Sequence, residues 1–170
     1  EHAQEGSDWY ERTYHVHPRI GPDSKAFLCT RLMRGKKCPV CQLQSKLLNR
    51  GEDNEDLVKD LASKERQLFW VRNRKDPEAG TMLWDCSYHN FGKLLDIRIN
   101  TSDEDDNWYK FYRLEGGLTL KVSFKEESFG GKQFMKAETI DFKEREKDLP
   151  ESLIEDLPSL DSLLIYPDYE

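Results

Sequence analysis

The chain has 170 residues, a formal net charge of −7 at pH 7 and aromatic residues along its whole length. These values suit one soluble, folded domain rather than a disordered or fibrous protein. Because the sequence has no run of about eighteen apolar residues and does not start like a signal peptide, we expect no membrane role and a cytosolic protein.

The first informative segment, residues 14–41, is predicted to be irregular. Three prolines and two glycines interrupt it, so something other than its own hydrogen-bond ladder must hold it. The segment contains three of the four cysteines, and the pair Cys38-Pro39-Val40-Cys41 has the spacing at which two thiolates on one turn reach the same ion. Since a disulfide framework is not expected in a cytosolic chain, we predict one structural Zn²⁺ here.

The predicted ligands of this ion are His17, Cys29, Cys38 and Cys41. A majority of thiolates is typical of a closed, structural zinc site, whereas catalytic zinc keeps one position open. His15 remains an alternative to His17, which we favour because the prolines and glycine that follow it can turn the chain back toward Cys29. Cys86 is a competitor for the fourth position, although it lies in an alternating segment where a buried free thiol is commoner.

The next elements are predicted to be two short helices, a hairpin and a third helix. Apolar residues recur at helical intervals over residues 42–50, 55–64 and 90–99. Between them, aromatic and alternating residues predict strands over 67–73 and 81–88, joined by a turn at 76–80. The acidic run at 101–107 is predicted to be a loop.

The C-terminal half is predicted to be a meander followed by short helices. Residues 118–125 alternate strictly between apolar and polar, and strands over 108–114 and 133–142 are expected beside them. Residues 149–166 have the leucine spacing of one or two helices interrupted at Pro158. About five strands without a βαβ rhythm favour an α+β fold that is mainly β, an OB-fold-like small β-barrel with an inserted zinc-binding subdomain.

We therefore expect a single domain over residues 1–170. Its zinc subdomain covers about 14–64, inserted in or preceding an OB-like part at 65–145, and an acidic helical segment follows at 146–170.

Charge is strongly segregated along the chain. Residues 15–50 carry eight basic residues against one acid, and a second basic cluster lies within 64–75. Acids collect at 52–60, 103–106 and 138–170, the last range holding eleven acids against three bases. This polarity is typical of a basic nucleic-acid-binding face with an acidic rear, although a charge run is often only a solvated surface.

Several short motifs follow one another in an informative order. They are His17-Pro18-Arg19-Ile20-Gly21-Pro22, Cys29, Cys38-Pro39-Val40-Cys41-Gln42, Phe69-Trp70-Val71, Lys75-Asp76-Pro77, Phe91-Gly92-Lys93 and Leu114-Glu115-Gly116-Gly117. Over roughly residues 15–125 the chain resembles the zinc-containing single-stranded DNA-binding proteins of tailed bacteriophages, typified by the T-even helix-destabilising protein.

This resemblance implies an OB-fold core that coats single-stranded DNA without sequence preference. Such a protein acts in phage DNA replication, recombination and repair, in the cytoplasm of the infected bacterial host. The resemblance also implies self-association on DNA and binding of replication and recombination proteins through an acidic C-terminal region.

The residues themselves suggest how a strand would bind, by neutralised phosphates and stacked bases. The candidate phosphate contacts are Arg31, Arg34, Lys36, Lys37, Arg72, Arg74 and Lys75. The candidate stacking residues are Phe69, Trp70, Trp84, Tyr88, Tyr109 and Tyr112. For more than half of these aromatic residues we expect a place in the core instead.

Other functions are less well supported by the sequence. Nucleobase deaminases need a His-x-Glu pair before Pro-Cys-x-x-Cys, which this chain lacks, and the acids at 103–106 are typical of a solvated loop, so no enzymatic activity is expected. A duplex-reading factor would need a basic recognition helix, but the helices at 55–64 and 149–166 are mostly acidic. The main alternative is a zinc-stabilised protein-interaction adaptor that does not bind nucleic acid.

Overall fold

A computed structural model describes residues 9–50, 55–103 and 106–168 of the chain. Within them the fold is mixed α+β, built from antiparallel sheets and short helices. The strands are β1 (Glu11–Ile20), β2 (Lys25–Leu28), β3 (Lys64–Arg72), β4 (Thr81–Ser87), β5 (Leu118–Phe129) and β6 (Lys132–Glu144). The helices are α1 (Thr30–Arg34), α2 (Pro39–Leu48), α3 (Glu55–Asp60) and α4 (Gly92–Asn100). None of the helices in these ranges is long and apolar enough to cross a membrane.

The larger sheet has the strand order β2-β1-β3-β4, and all neighbours are antiparallel. The predicted hairpin at 67–88 is present as β3 and β4, with a short 3-10 turn at Pro77–Ala79 between them. Gly80 closes this turn with a φ of 69°, which a residue with a side chain rarely adopts. The predicted strands and turn are therefore confirmed here.

The smaller sheet is the long hairpin β5–β6. Gly130 and Gly131 turn the chain with φ values of 57° and 75°, the pair of positive angles that a tight two-residue hairpin turn requires. Near the base of the hairpin Ile140 is buried, whereas Phe129 at its tip is 83% exposed. The hairpin is therefore anchored at one end and projects at the other.

The apolar core consists of two clusters. The first joins β3, β4 and α4 to the β5–β6 hairpin through Phe69, Phe91, Leu95 and Ile140. The second lies on the far side of the larger sheet, where Tyr14, Val16, Leu28 and Leu68 pack against Leu160 of the C-terminal segment. The alternation of side chains along β1 and β3 supplies both clusters from one sheet.

Some sequence-based expectations were wrong. Residues 14–41 are not irregular throughout, because β1 pairs with β3 from Glu11 to Val16 and the strand continues to Ile20. Residues 108–114 do not form a third strand of a meander; they begin with a 3-10 turn, Trp108–Lys110. The short helices expected at 149–166 are 3-10 turns of three and four residues on either side of Pro158.

Other helix predictions hold with shifted ends. The helix expected at 42–50 begins earlier, at Pro39, because proline suits the first helical position after the Cys38 cap. The helices expected at 55–64 and 90–99 are present as α3 and α4. Parts of the acidic runs at 52–60 and 103–106 lie outside the described residues.

Candidate metal centre

The four predicted ligands come from three separate elements that meet at one buried point. His17 lies on β1, Cys29 follows β2, and Cys38 and Cys41 stand at the first turn of α2. Backbone hydrogen bonds fix this arrangement, since the N–H of Cys29 donates to the carbonyl of His15 and the N–H of Gln42 donates to that of Cys38. The exposed fractions of the four side chains are between 0% and 8%, so the cluster is closed to solvent.

The distances within this cluster fit a tetrahedral ion. The ligand atoms all lie within 4.8 Å of one another. Cys29 Sγ is 3.4 Å from Cys41 Sγ, while His17 Nε2 is 3.4 Å from Cys41 Sγ and 3.5 Å from Cys38 Sγ. Bonds of about 2.3 Å to sulfur and 2.0–2.1 Å to nitrogen place neighbouring tetrahedral ligands about 3.5 to 3.8 Å apart. These four residues could therefore hold one metal ion.

A contact behind the cluster orients the imidazole of His17. Its Nδ1 lies 2.8 Å from the carbonyl oxygen of Leu61, close enough for Nδ1–H to donate to it. With Nδ1 held in this way, Nε2 is the ring nitrogen that faces the cluster, close to the sulfur atoms of Cys38 and Cys41. Metal-bound histidines usually have such a partner, and the sequence did not indicate Leu61 as one.

The thiols of the cluster differ in acidity. Burial opposes ionisation of Cys38, but hydrogen bonds from the backbone N–H groups of Cys41 and Val40 and from neighbouring thiols outweigh it and lower the pKa of Cys38. Burial and the sulfur atoms of Cys29 and Cys38 raise the pKa of Cys41 to about 12. Three thiolates so close together repel one another unless a cation lies between them, and a bound cation deprotonates its thiol ligands.

The two alternative ligands that the sequence left open, His15 and Cys86, are not part of the cluster. His15 lies two residues earlier on β1, and its side chain is not part of the group. Cys86 is buried in the first core cluster beside Phe69 and Phe91. Burial and the charge of Asp85 raise the pKa of the Cys86 thiol to about 12, so it remains a neutral, apolar core group.

Three of the predicted phosphate contacts lie together beside the metal cluster. Arg31, Lys36 and Lys37 line an open groove of about 580 Å³ whose wall includes Cys38 and Cys41. Lys46 of α2 lines the same groove and was not singled out from the sequence. The sequence feature that could have identified Lys46 as a candidate is the basic run of residues 15–50, to which it belongs.

The remaining basic candidates are placed elsewhere. Arg34 stacks its guanidinium over the ring of Tyr166, 3.4 Å from the centroid, and does not line the groove. Arg72 donates to the carbonyl of Pro77, and Arg74 donates to the hydroxyl of Thr119. Arg72, Arg74 and Lys75 therefore belong to the end of β3 and its turn, a separate basic area.

The aromatic candidates divide into exposed and packed residues. Tyr109 is 52% exposed. Tyr88 donates its hydroxyl to Asp96, Tyr112 stacks on Tyr10 at 4.3 Å, and Trp70 packs against the second core cluster. Trp84 is half-buried at the edge of the first cluster.

Phe69 must be corrected as a stacking residue. Only 4% of it is exposed, and Phe91 and Trp84 cover its ring, so no base can reach it in this fold. Sequence reasoning also missed Phe124, which is 43% exposed on the β5–β6 hairpin. Its alternation with Leu120 and Val122 suggested a core position, but a bulge after Ser123 breaks the register.

The metal centre and the basic groove beside it are the parts of the structure that point most directly to a function. The groove is open and cationic, and the centre is buried and closed. Comparisons with protein-family models, with curated proteins and with solved structures find no match to this chain.

Proposed function

We propose that this chain binds single-stranded DNA without sequence preference and that one structural Zn²⁺ holds its binding face. The observation that carries this proposal is that Cys38 and Cys41 of the metal cluster also line the basic groove. Arg31, Lys36 and Lys37 reach the groove from the loop between Cys29 and Cys38, so an ion at the cluster would fix where these cations stand.

Zinc is the metal that suits this donor set best. Three thiolates and one imidazole in a buried tetrahedron are typical of structural Zn²⁺. The d electrons of this ion impose no coordination geometry, so it accepts the tetrahedral arrangement. The bound ion would cross-link β1, the end of β2, the start of α2 and, through Leu61, the residues after α3. No position remains for a catalytic water, which supports a structural role.

The charge pattern supports a polyanionic ligand. The groove carries four basic side chains, Arg31, Lys36, Lys37 and Lys46. Each phosphate that they neutralise would release counterions, and this term supplies most sequence-independent binding. The acids collect in other stretches of the sequence, at 52–60, 103–106 and 138–170.

The finer parts of the proposal follow from the family resemblance. In that picture the curled four-stranded sheet and the β5–β6 hairpin are the parts of an OB-like barrel. The protein would coat DNA during phage replication, recombination and repair in the bacterial cytoplasm, with an acidic C-terminal region that recruits replication proteins.

A fluorescence anisotropy titration tests this function. A labelled oligo-thymidine and a duplex of equal length are titrated with the zinc-loaded protein at several salt concentrations. We expect tight binding to the single strand alone, with a log–log salt slope of about 0.7 for each phosphate contact. Absence of binding to the single strand at low salt would refute the proposal.

A zinc-stabilised adaptor is the second candidate, and one observation favours it. Leu43 and Leu48 on α2 and Leu57 on α3 are about half exposed, which gives the helices of the metal-binding region apolar side chains for a protein partner. An adaptor would bind no oligonucleotide at any salt concentration, so the same titration separates the two functions.

A further inference from the structure

A second cavity lies away from the metal centre, between β4 and the β5–β6 hairpin. Its volume is about 460 Å³. Trp84, Phe124 and Met135 contribute apolar walls, while Arg66, Asp85 and Asn90 contribute polar groups. This volume and this mixture are typical of sites for small organic groups, and a folded partner could not enter.

The indole of Trp84 is held in place before any ligand arrives. Phe91, which is buried, meets it edge-on with ring centroids 4.6 Å apart. Phe124 approaches it from the hairpin at 6.2 Å and nearly perpendicular, at 87°. A flat ring that stacks on Trp84 would therefore cost little side-chain entropy, and every nucleobase has such a face.

The polar groups of the cavity can serve bases of any identity. Arg66 and Tyr14 both donate to Oδ1 of Asp85, at 2.9 Å and 3.0 Å, and these bonds fix the carboxylate. The guanidinium of Arg66 offers donors, the carboxylate accepts, and the amide of Asn90 does both. The cavity can therefore bind the polar edge of a base without selecting one of the four.

The outer face of the hairpin carries positive charge close to this cavity. Lys125, next to Phe124 in the chain, stands directly opposite Lys136 in the β5–β6 register. Like charges at such positions destabilise a sheet unless a counter-charge lies near. Lys136 has Glu127 at 3.7 Å, whereas Lys125 makes no ion pair within the described part of the chain. A phosphate on this face would relieve the repulsion.

We propose that the cavity holds one unstacked nucleobase of a bound single strand, with Trp84 as the ring on which the base stacks, Phe124 in edge contact with the base, and Lys125 and Lys136 beside the flanking phosphates. This inference depends on the proposed DNA-binding function and adds a base subsite to it. The subsite lies on different elements from the basic groove, so it can be disrupted separately.

The test uses oligo-thymidine with a single 2-aminopurine, a fluorescent base, and the zinc-loaded full chain. Saturation of the wild type should quench 2-aminopurine, because the base stacks on an aromatic ring. Phe124→Ala should reduce this quenching, because the side chain that holds the base against Trp84 is lost, and should weaken binding by about 10-fold, the loss of roughly one aromatic contact. Phe124 is half exposed, so this variant should melt at the wild-type temperature.

Two further variants make the result decisive. Leu83→Ala removes an exposed side chain next to Trp84 that does not line the cavity, and it should bind and quench like the wild type. Met135→Glu places a carboxylate on the cavity wall and should reproduce the loss seen with Phe124→Ala. Wild-type affinity and quenching in both cavity variants would overturn the base subsite while leaving DNA binding intact. Failure of the wild type to bind the strand would instead refute the proposed function itself.

Discussion

His17 is the residue on which the metal centre and the neighbouring chain both depend. Its Nε2 faces the sulfur atoms of Cys38 and Cys41, and its Nδ1 contacts the carbonyl of Leu61. Only one histidine of the pair on β1 has this double contact. The choice between His15 and His17 could not be made from spacing, because it depends on a carbonyl 44 residues farther along the chain.

Replacement of the two histidines should therefore have unequal effects. His17→Ala should lose the metal during dialysis against a weak chelator and should melt at a lower temperature. His15→Ala should retain about one equivalent of the metal, because its side chain is not in the cluster. Metal content measured by atomic absorption distinguishes the variants, and equal retention by both would show that the assigned ligand is wrong.

At the scale of elements, Arg145 joins the end of β6 to the loop before β5. Its guanidinium donates to the carbonyl oxygens of Phe111, Arg113, Leu114 and Leu118, at distances between 2.6 and 3.3 Å. Three of these carbonyls belong to the stretch before β5, which has no ladder of its own, and the fourth is that of Leu118, the first residue of β5. Burial lowers the pKa of the guanidinium that bonds to them. The side chain of Arg145 therefore supplies hydrogen-bond donors that a neighbouring third strand would otherwise have to provide.

Arg145→Lys should destabilise the protein although it keeps the charge. An ammonium group cannot match the fork of a guanidinium. The carbonyls of Phe111 and Leu114 keep the backbone N–H groups of Leu118 and Leu149 as donors, so the expected cost of about 1–3 kcal/mol comes from the other hydrogen bonds that are lost. Chemical denaturation measures the change in the free energy of unfolding. Lys143→Ala, an exposed site at the end of the adjoining strand β6, is the matched control and should change the free energy of unfolding by less than about 0.5 kcal/mol.

A clash between elements gives a second test of packing. A Cβ added at Gly92 would lie 1.7 Å from Oε1 of the buried Gln67 and 2.8 Å from a ring carbon of Tyr88. Gly92→Ala should therefore cost about 1–3 kcal/mol, the usual range for overpacking. The double variant with Gln67→Ala should recover part of this loss, whereas strictly additive losses would argue against the contact.

The sequence predicted those elements whose signals are local. The hairpin β3–β4 was readable from its turn and aromatic strands, and the ligand cysteines were readable from their spacing. β1 was missed because Pro18, Gly21 and Pro22 suggested a loop, while the partner that makes it a strand lies in β3. The false strand at 108–114 has the aromatic composition of one, but Arg145 satisfies its carbonyls from beyond β6. Contacts between distant residues left no local pattern to read.

At the scale of the whole molecule, the C-terminal segment ties the acidic part of the chain to β1 and α1. Arg12 Nε donates to Asp161 at 2.6 Å, Leu160 is buried in the second core cluster, and Tyr166 lies under Arg34. The metal cluster is adjacent to this side, whereas the first core cluster is built from β3, β4, α4 and the hairpin. Loss of the ion should therefore loosen one part of the molecule before the other.

Removal of the metal should show this division by hydrogen exchange. With a strong chelator, backbone amides of residues 15–48 should exchange faster, because most of their order depends on the ion and on short elements. Amides around Leu95 and Ile140 should remain protected, since their cluster contains no ligand. Uniform acceleration across the chain would mean that the two parts unfold together.

The same treatment should also weaken the proposed DNA binding, by an amount that the salt dependence measures. Arg31, Lys36 and Lys37 depend on the metal loop for their positions, so chelation should remove about three phosphate contacts without altering a contact residue. Each phosphate contact contributes about 0.7 to the slope of log affinity against log salt, so the loss of three contacts should reduce the magnitude of this slope by about 2. Cys38→Ser should reproduce this change and Cys86→Ser should not, because only the first removes a ligand. An unchanged slope with the metal gone would mean that the strand lies elsewhere and that the basic groove is only a solvated surface.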